Sequence, residues 1–163
     1  MKKFLAIVLT VGMLLTMCLP ASAATYSTTR TFINWLESLD LKYTERGIDS
    51  NGYEIITVGN RGEACSYTII YYFSQDLELC SIRVYNLIEY NAGDFVKVLN
   101  ACNDMNQGYK FTTWYCDTSD NTVTVSMDLI FRAYQVDEIL EEATLRLVNI
   151  IDDGYPLFAA YDK

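Results

Sequence analysis

The fold class follows from one stretch, residues 91–131, with the sequence NAGDFVKVLNACNDMNQGYKFTTWYCDTSDNTVTVSMDLIF. In its first half, apolar side chains recur at i, i+3, i+4 and i+7, which is the spacing of one helix face, at Phe95, Val98, Leu99 and Cys102. In its second half, apolar and polar residues alternate on both sides of a polar turn, which is typical of a β-hairpin. The change from a helical to a strand period therefore predicts an α+β fold.

The hairpin of this stretch has two faces, and a tight turn predicts which residues share each of them. Such a turn places Lys110 opposite Asp128, a favourable cross-strand pair worth at most about 1 kcal/mol. The side chains then predicted to face the core are Tyr109, Phe111, Thr113, Tyr115, Val123, Val125, Met127 and Leu129. Trp114 falls on the opposite, outer face.

The N-terminus has the pattern of a cleaved secretory signal, assigned to residues 1–24. Lys2 and Lys3 precede an apolar run over 4–19, and an A-x-A site allows cleavage after Ala23 or Ala24. A retained membrane anchor is disfavoured because the run is shorter than the roughly 20 residues that a spanning helix needs. Lipid attachment at Cys18 is also disfavoured, since a small residue should precede the modified cysteine. The sequence thus predicts export to an extracellular or periplasmic location.

The remaining residues, 25–163, have the length of a single domain. Loss of the two leader lysines takes the formal charge from −9 to about −11. A surface this acidic repels phosphate backbones and anionic lipids, so the sequence predicts no nucleic-acid partner and no stable membrane insertion after cleavage. The acidic residues are dispersed, which is typical of a soluble protein rather than of recognition of a basic partner.

Four cysteines follow the leader: Cys65, Cys80, Cys102 and Cys116. An even number in an exported chain permits one or two disulfides, with three full connectivities. The spacing contains no C-x-x-C pair, so neither a zinc cluster nor a thioredoxin-type site is predicted. The periodicity places Cys80 and Cys102 on apolar faces, where free buried thiols are slightly favoured over a disulfide.

Histidine is absent from the whole sequence. This removes Ser-His-Asp and Cys-His nucleophilic sites and the commonest metal ligand. Pairs of carboxylates remain as candidates for acid–base chemistry, at Asp137/Glu138, Glu141/Glu142 and Asp152/Asp153. The first four lie on the polar side of a predicted helix, so they are expected to be solvated. No catalytic residue, metal site or cofactor is predicted.

The rest of the sequence completes a single antiparallel sheet with three helices. Helices are predicted from Ser27 or Thr28, over 92–106 and over 136–151, and strands over 42–48, 53–58, 65–74 and 77–86. A tight turn between the last two strands places Tyr71 opposite Cys80. The predicted order is α-β(3-4)-α-β-β-α, with the helices covering the apolar face of the sheet.

With these elements in this order, the sequence resembles the YbjN family, which has the type III secretion chaperone-like fold. The resemblance rests on TFINWLESL, YTIIYYF, LCSIRVYN, FVKVLNACNDMNQGYKFTTWY, TVTVSMDL and EILEEATLRLVNIIDDGYPLF. It covers roughly residues 31–158 and implies that fold. Relatives of the fold bind unfolded or extended protein segments and often dimerise, so a homodimer is an expected assembly. The resemblance supplies no catalytic residues, and the secretory signal sets this chain apart from many relatives.

The leading functional hypothesis is an exported, non-catalytic module that binds a protein or peptide. Its predicted contact is the outer sheet face, where apolar and aromatic residues interrupt a polar alternation, at Ile70, Tyr72, Leu79, Tyr85 and Trp114. The alternative is that a helix covers this face or that these residues are scattered. A carbohydrate or cell-wall binding module is a second hypothesis, because 13 tyrosines and two tryptophans offer stacking surfaces. A carboxylate-dependent hydrolase is a third.

Overall fold

The structure is a computed structural model that describes residues 24–163. Within that range the chain forms α1 (Ser27–Ser38), β1 (Tyr43–Ile48), β2 (Glu54–Arg61), β3 (Ser66–Phe73), β4 (Leu79–Glu89), α2 (Phe95–Gly108), β5 (Thr113–Asp117), β6 (Thr122–Ile130) and α3 (Val136–Gly154). The predicted α+β fold and its element order are confirmed. The predicted leader lies outside the described residues, apart from Ala24. Among the described helices, none combines the length and the apolar composition that a membrane crossing requires.

The six strands form one open antiparallel sheet in the order β1-β2-β3-β4-β6-β5. The first four strands follow the chain as a meander. Helix α2 then carries the chain past the position next to β4, so that β5 becomes an edge strand and β6 returns between β4 and β5. This crossover is the step that places a helix over the edge of the sheet.

The helices cover a single face of the sheet, called the inner face. The ring of Phe32 on α1 lies 4.5 Å from the ring of Tyr71 and 5.5 Å from that of Phe73, measured between centroids. Helix α3 buries Leu140 and Leu147 in the same core cluster. Along β3 and β4 the inner side chains are buried and the outer ones are partly or fully exposed. The alternation predicted from the sequence therefore gives the sheet one buried face and one face that contacts solvent.

The β3–β4 hairpin keeps its predicted faces but has a different register. Phe73, and not Tyr71, is opposite Cys80. The connection is longer than a tight turn: the Ser74 N–H donates to the Leu79 carbonyl, and Leu77 adopts a φ of 64°. A shift of two residues leaves every side chain on its predicted face.

The last hairpin is shifted by one residue, so the predicted faces of β5 were wrong. Thr113 pairs with Ser126 and Trp114 with Val125, whereas the predicted pairing of Lys110 with Asp128 requires the neighbouring register. A four-residue turn over 118–121 causes the shift, because the Asp117 carboxylate accepts hydrogen bonds from the N–H and hydroxyl of Ser119, at 2.9 and 2.6 Å. A one-residue shift reverses the two faces of a strand.

The consequences of this shift are confined to the segment before the turn. Of the residues predicted to face inward there, Tyr109 is half-buried, and those exposed are Phe111, Thr113 and Tyr115. On β6 the prediction holds, since Val123, Val125 and Met127 are buried and Leu129 is partly buried.

The two halves of the sheet meet over a short ladder. Strand β3 pairs with β4 only from Ile70 to Phe73, although both strands are longer. Beyond Val84, β4 has a bulge before Ile88 and continues along β6 instead. At its far end β4 takes a different neighbour, because the Lys163 N–H donates to the Glu89 carbonyl at 3.0 Å. The C-terminal residues thus occupy part of the space from which β3 diverges.

Candidate functional site

Four of the five residues predicted to bind a partner lie on the outer face of the sheet. Ile70 is opposite Arg83 in the β3–β4 ladder, and Tyr72 is opposite Ser81. Leu79 and Tyr85 lie on the same face of β4, one at each end of that row. Together with Tyr53, which precedes β2, they form a continuous surface called the outer patch, defined as Tyr53, Ile70, Tyr72, Leu79, Arg83 and Tyr85.

Trp114 does not belong to this surface, which corrects its predicted outer position. The side chain is 1% exposed and stacks on Phe158, with centroids 5.2 Å apart and planes 4° from parallel. Its backbone is also occupied: the Trp114 N–H donates to Asn106 Oδ1 at 2.8 Å, and Asn106 Nδ2 donates to the Trp114 carbonyl at 2.9 Å. Trp114 is therefore a core residue.

The centre of the outer patch is a shallow depression with aromatic walls. Its volume is about 220 Å³ and its lining combines three tyrosines with polar side chains: Asp49, Asn51, Tyr53, Tyr72, Ser81, Arg83 and Tyr85. The rings of Tyr53 and Tyr72 meet edge to face, with centroids 6.3 Å apart. Partial burial, together with the hydrogen bond to Tyr85, raises the pKa of Tyr72 to about 12. The Tyr72 phenol thus remains neutral at physiological pH.

A single cation is held in place beside these rings. Arg83 forms an ion pair with Asp128 at 2.8 Å, and its other terminal nitrogen donates to the Ile82 carbonyl at 2.9 Å. The Ser81 hydroxyl donates to the same Asp128 oxygen at 2.6 Å. Partial burial on its own would raise the pKa of Asp128, but the hydrogen bonds from Ser81 and Arg83 hold it below its usual value. The guanidinium is therefore fixed in orientation before any ligand arrives.

None of the helices in residues 24–163 lies over the outer patch, since their buried apolar side chains all join the inner core. Tyr85 is 45% exposed, and Ile130, opposite Leu79 on the next strand, is 81% exposed. The described part of the chain thus leaves an aromatic and aliphatic surface open to solvent. Such surfaces mark contacts more often than chance placement would produce.

The candidate acid–base pairs are not assembled into a reactive site. Asp137, Glu138, Glu141 and Glu142 are exposed on α3, as predicted. Asp152 is half-buried and accepts a hydrogen bond from the Ala64 N–H at 3.1 Å, which gives it a structural role between α3 and the β2–β3 loop. Within residues 24–163 no cluster of three or more His, Cys, Asp or Glu side chains could hold a metal ion.

One buried carboxylate was not identified from the sequence. Glu54 is 4% exposed on the inner face of β2, where it accepts the Thr25 N–H at 2.6 Å and the Tyr26 N–H at 2.9 Å. Both donors belong to the segment that enters α1, so Glu54 joins the start of the first helix to the sheet. The signal in the sequence is a glutamate at a core position of the alternating strand EIITV.

The cysteines are dispersed except for one pair. No disulfide joins the four cysteines of the described residues. Cys80 is buried between Phe73 and Leu129 on neighbouring strands, and burial raises the pKa of its thiol. Cys102 on α2 and Cys116 on β5 face each other, with their sulfurs 3.8 Å apart.

Comparison with known proteins gives a family and a fold. The YbjN family model, described as "Putative bacterial sensory transduction regulator", matches residues 31–156. Among solved structures, the chain is similar to the one titled "Crystal structure of YbjN, a putative transcription regulator from E. coli". That similarity has a TM-score of 0.52 at 12% sequence identity and covers 78% of this chain and 91% of the other. It is evidence for the fold alone. A search of the curated proteins found no match.

Proposed function

Because this chain belongs to the YbjN family, whose description is regulatory and not enzymatic, we propose that it acts by binding a partner protein through the outer patch. The observation that carries the proposal is a sheet face that no described helix covers and that presents three tyrosines, two aliphatic side chains and a fixed arginine. Tyr85 is exposed there and the other five side chains are half-buried. The family description gives a regulatory class, and the binding role and its surface are our inference.

The chemistry of the patch favours a protein ligand. Tyrosine and arginine are enriched among the residues that contribute most to protein interfaces, because they bury a large area and still hydrogen-bond at their tips. Arg83 is already oriented by Asp128, and Tyr72 is held by Tyr53 and Tyr85, so little side-chain freedom would be lost on binding. A partner with apolar side chains and an acceptor for the guanidinium fits this surface.

The proposed place of action is outside the cytoplasm. The support is the sequence of residues 1–24, with its two lysines, apolar run and A-x-A site. An exported regulator of this kind would bind a partner in the envelope or the medium.

The proposal is tested by comparing the double variant Tyr72→Ser/Tyr85→Ser with the unchanged chain. Proteins captured from the producing cell's own medium and envelope by the unchanged chain are identified by mass spectrometry. The affinity of each candidate is then measured with purified protein. We expect the double variant to bind the true partner at least ~30-fold more weakly, the loss typical of two hot-spot side chains.

The matched control is Tyr134→Ser, which removes a tyrosine that is 75% exposed and lies outside the sheet. This variant should bind as the unchanged chain does, and all three proteins should have the same circular dichroism. Sedimentation velocity on the same samples detects a second copy of this chain as the partner, in which case only the patch variant becomes monomeric. Equal binding by the double variant and the control would overturn the assignment of the surface.

A carbohydrate ligand is the second candidate, favoured by the depression itself. Its tyrosine rings offer stacking faces, and Asp49, Asn51 and Arg83 offer hydrogen bonds around them. Titration with soluble cell-wall fragments, followed by binding calorimetry, distinguishes this candidate. A sugar ligand should bind without any protein partner and lose affinity in Tyr72→Ser/Tyr85→Ser.

A further inference from the structure

The facing pair Cys102 and Cys116 connects helix α2 to the edge strand β5. Their sulfur atoms are 3.8 Å apart, and a disulfide requires about 2.05 Å. The difference is small enough to be closed by side-chain rotation with a slight approach of the helix. We propose that these two residues form a disulfide when the chain enters an oxidising compartment, and that Cys65 and Cys80 remain thiols.

The sheet geometry excludes the main alternative pairings. Cys65 immediately precedes β3, whereas Cys80 is opposite Phe73 at the other end of that strand. At about 3.3 Å per residue the two are separated by roughly 25 Å, far beyond the limit of about 7 Å between α-carbons in a disulfide.

A second pairing fails for the same reason. Cys80 is opposite Leu129 and Cys116 is opposite Val123, so six residues of β6 separate these two cysteines, which is about 20 Å. These distances remove the full connectivity that joins Cys65 to Cys80 and the one that joins Cys80 to Cys116. The third connectivity joins Cys80 to Cys102, and it is removed as well, because the Cys102 sulfur lies 3.8 Å from the Cys116 sulfur and is therefore also far from Cys80. Cys80 is also fully buried and lies beside apolar neighbours.

The two sulfurs differ in access, which sets the order of the reaction. Cys102 is 1% exposed, while Cys116 is partly buried at the edge of the sheet. Burial raises the pKa of the Cys102 thiol, and the neighbouring Cys116 sulfur raises it further. Cys116 is therefore the sulfur that an external oxidant reaches first, and Cys102 is the resolving thiol.

The oxidant is a disulfide, either of a small thiol such as glutathione or of a thiol–disulfide oxidoreductase. The Cys116 thiolate attacks one sulfur of that disulfide, forming a mixed disulfide and releasing one thiolate. The Cys102 thiolate then attacks the Cys116 sulfur and displaces the second thiolate. Two electrons and two protons leave the protein, and the donor disulfide is reduced to two thiols.

The cross-link would stabilise the part of the fold that brings α2 against β5. The cross-link closes a loop from residue 102 to residue 116. Within this loop, the side-chain amide of Asn106 forms hydrogen bonds with the backbone N–H and carbonyl of Trp114. Closing such a loop restricts the unfolded chain. We expect reduction to lower the thermal midpoint of the oxidised protein by roughly 5–10 °C.

Peptide mapping of the full chain, oxidised with glutathione disulfide and alkylated after denaturation, tests the assignment. Trypsin cleaves after Lys97, Lys110 and Arg132, so Cys102 and Cys116 fall in separate peptides, 98–110 and 111–132. We expect these two peptides to be linked, and the protein mass to be lower by about 2 Da than that of the reduced protein. Cys65 and Cys80 share peptide 62–83, and both should carry the alkylating group.

Two variants separate this pairing from the alternatives. Cys80→Ala, the matched control in the core, should still give the linked peptides. Cys102→Ala should give no internal link and instead one glutathione attached to Cys116. Alkylation of Cys102 and Cys116 in the oxidised unchanged chain, or a link between any other two cysteines, would overturn the proposal. Both readouts are taken on denatured protein, so they are independent of the stability of each variant.

Discussion

Gly154 lies at the point where α3, α2 and the Trp114 ring meet. A β-carbon at this residue would be 2.4 Å from Cε and 2.9 Å from Sδ of Met105, and 3.0 Å from Cη2 of Trp114. Met105 is itself 3% exposed, so it has little room to move. The glycine is therefore required by the close approach of two helices and a ring.

We expect Gly154→Ala to lower the free energy of unfolding by about 1–3 kcal/mol, because the added methyl group overfills a packed site. The matched control is Gly108→Ala, near the end of α2, where a β-carbon would meet nothing within 4 Å. That variant should be neutral or slightly stabilising, as alanine is in helices. Urea unfolding followed by circular dichroism measures both. Equal stability of the two variants would contradict the role assigned to Gly154.

Residue positions were predicted well where periodicity alone decides them and poorly where a turn decides them. On α2, Val98 and Cys102 are buried and Phe95 is partly buried, as their helical spacing indicates, but Leu99, predicted on the same stripe, lies at its border and is 36% exposed. The predicted face of Trp114 is wrong, since its orientation depends on a turn that is lengthened by hydrogen bonds from Ser119 to the Asp117 carboxylate. The alternation of apolar and polar residues in the two strands does not determine how many residues the turn contains. The packing role of Gly154 could not be predicted, because its neighbours Met105 and Trp114 are distant in sequence.

Helix α2 has a role as an element that goes beyond filling the core: it closes the β5 edge of the sheet. Edge strands present unpaired N–H and C=O groups that invite pairing with other chains. The Asn106 amide binds both backbone groups of Trp114 on the free side of β5, as a neighbouring strand would. The helix thus provides a side chain in place of a seventh strand.

We expect Asn106→Ala to lower the free energy of unfolding by about 1–3 kcal/mol, because it leaves two backbone groups of a buried residue without partners. It should also promote aggregation through the uncovered edge, detectable by light scattering. Asn100→Ala is the matched control, because Asn100 lies on the exposed side of the same helix and the same gain in helix propensity applies. If Asn106→Ala is as stable and as soluble as Asn100→Ala, the edge-closing role is wrong.

The order and type of the helices and strands could be predicted from the sequence, but the registers of the two hairpins could not. Their order and type are confirmed throughout residues 24–163, since each has a clear period and clear turn residues. The strand registers were not, because the connections after Phe73 and Asp117 are longer than the tight turns assumed. Both longer turns are fixed by side-chain bonds and by residues with positive φ, namely Leu77 and Asn121.

Across the whole molecule, the buried phenols and thiols respond in the same direction to alkaline pH. Partial burial raises the pKa of Tyr72 to about 12, and burial also raises that of Tyr71 and Cys80. In the unfolded chain these groups titrate near their ordinary values of about 10 for tyrosine and 8.5 for cysteine. Above those values the unfolded state holds fewer protons than the folded state, so stability falls as pH rises.

We expect the free energy of unfolding to be constant up to about pH 8 and to decline steadily from about pH 9 to pH 12. Urea unfolding at a series of pH values measures this. Tyrosinate absorbance should rise together with unfolding for the buried rings and before it for exposed ones. Tyr134→Phe, at a residue that is 75% exposed, should leave the profile unchanged. A profile that stays flat to pH 11.5 would contradict the assigned burial.

At the scale of the molecule, part of the candidate site, the outer patch, could be predicted from the sequence. The face was identified because Ile70, Tyr72, Leu79 and Tyr85 break a polar alternation, and the structure brings all four together. Tyr53 and Arg83 were missed as members, since their positions depend on how β2, β3 and β4 align. The sequence pattern of a single strand does not determine how that strand is aligned with its neighbours.

The short ladder between β3 and β4 gives the molecule a seam. Four residue pairs, Ile70–Phe73 with 80–83, are the backbone connection between a three-stranded half that carries α1 and a three-stranded half that carries α2. Each half has its own longer ladders, so the seam is the shortest backbone ladder in the sheet. The outer patch spans it, with Ile70 and Tyr72 on one side and Leu79, Arg83 and Tyr85 on the other. A ligand bound to the outer patch would contact both halves of the sheet. Its binding would therefore stabilise the state in which β3 and β4 are paired, and loss of that pairing would weaken its binding.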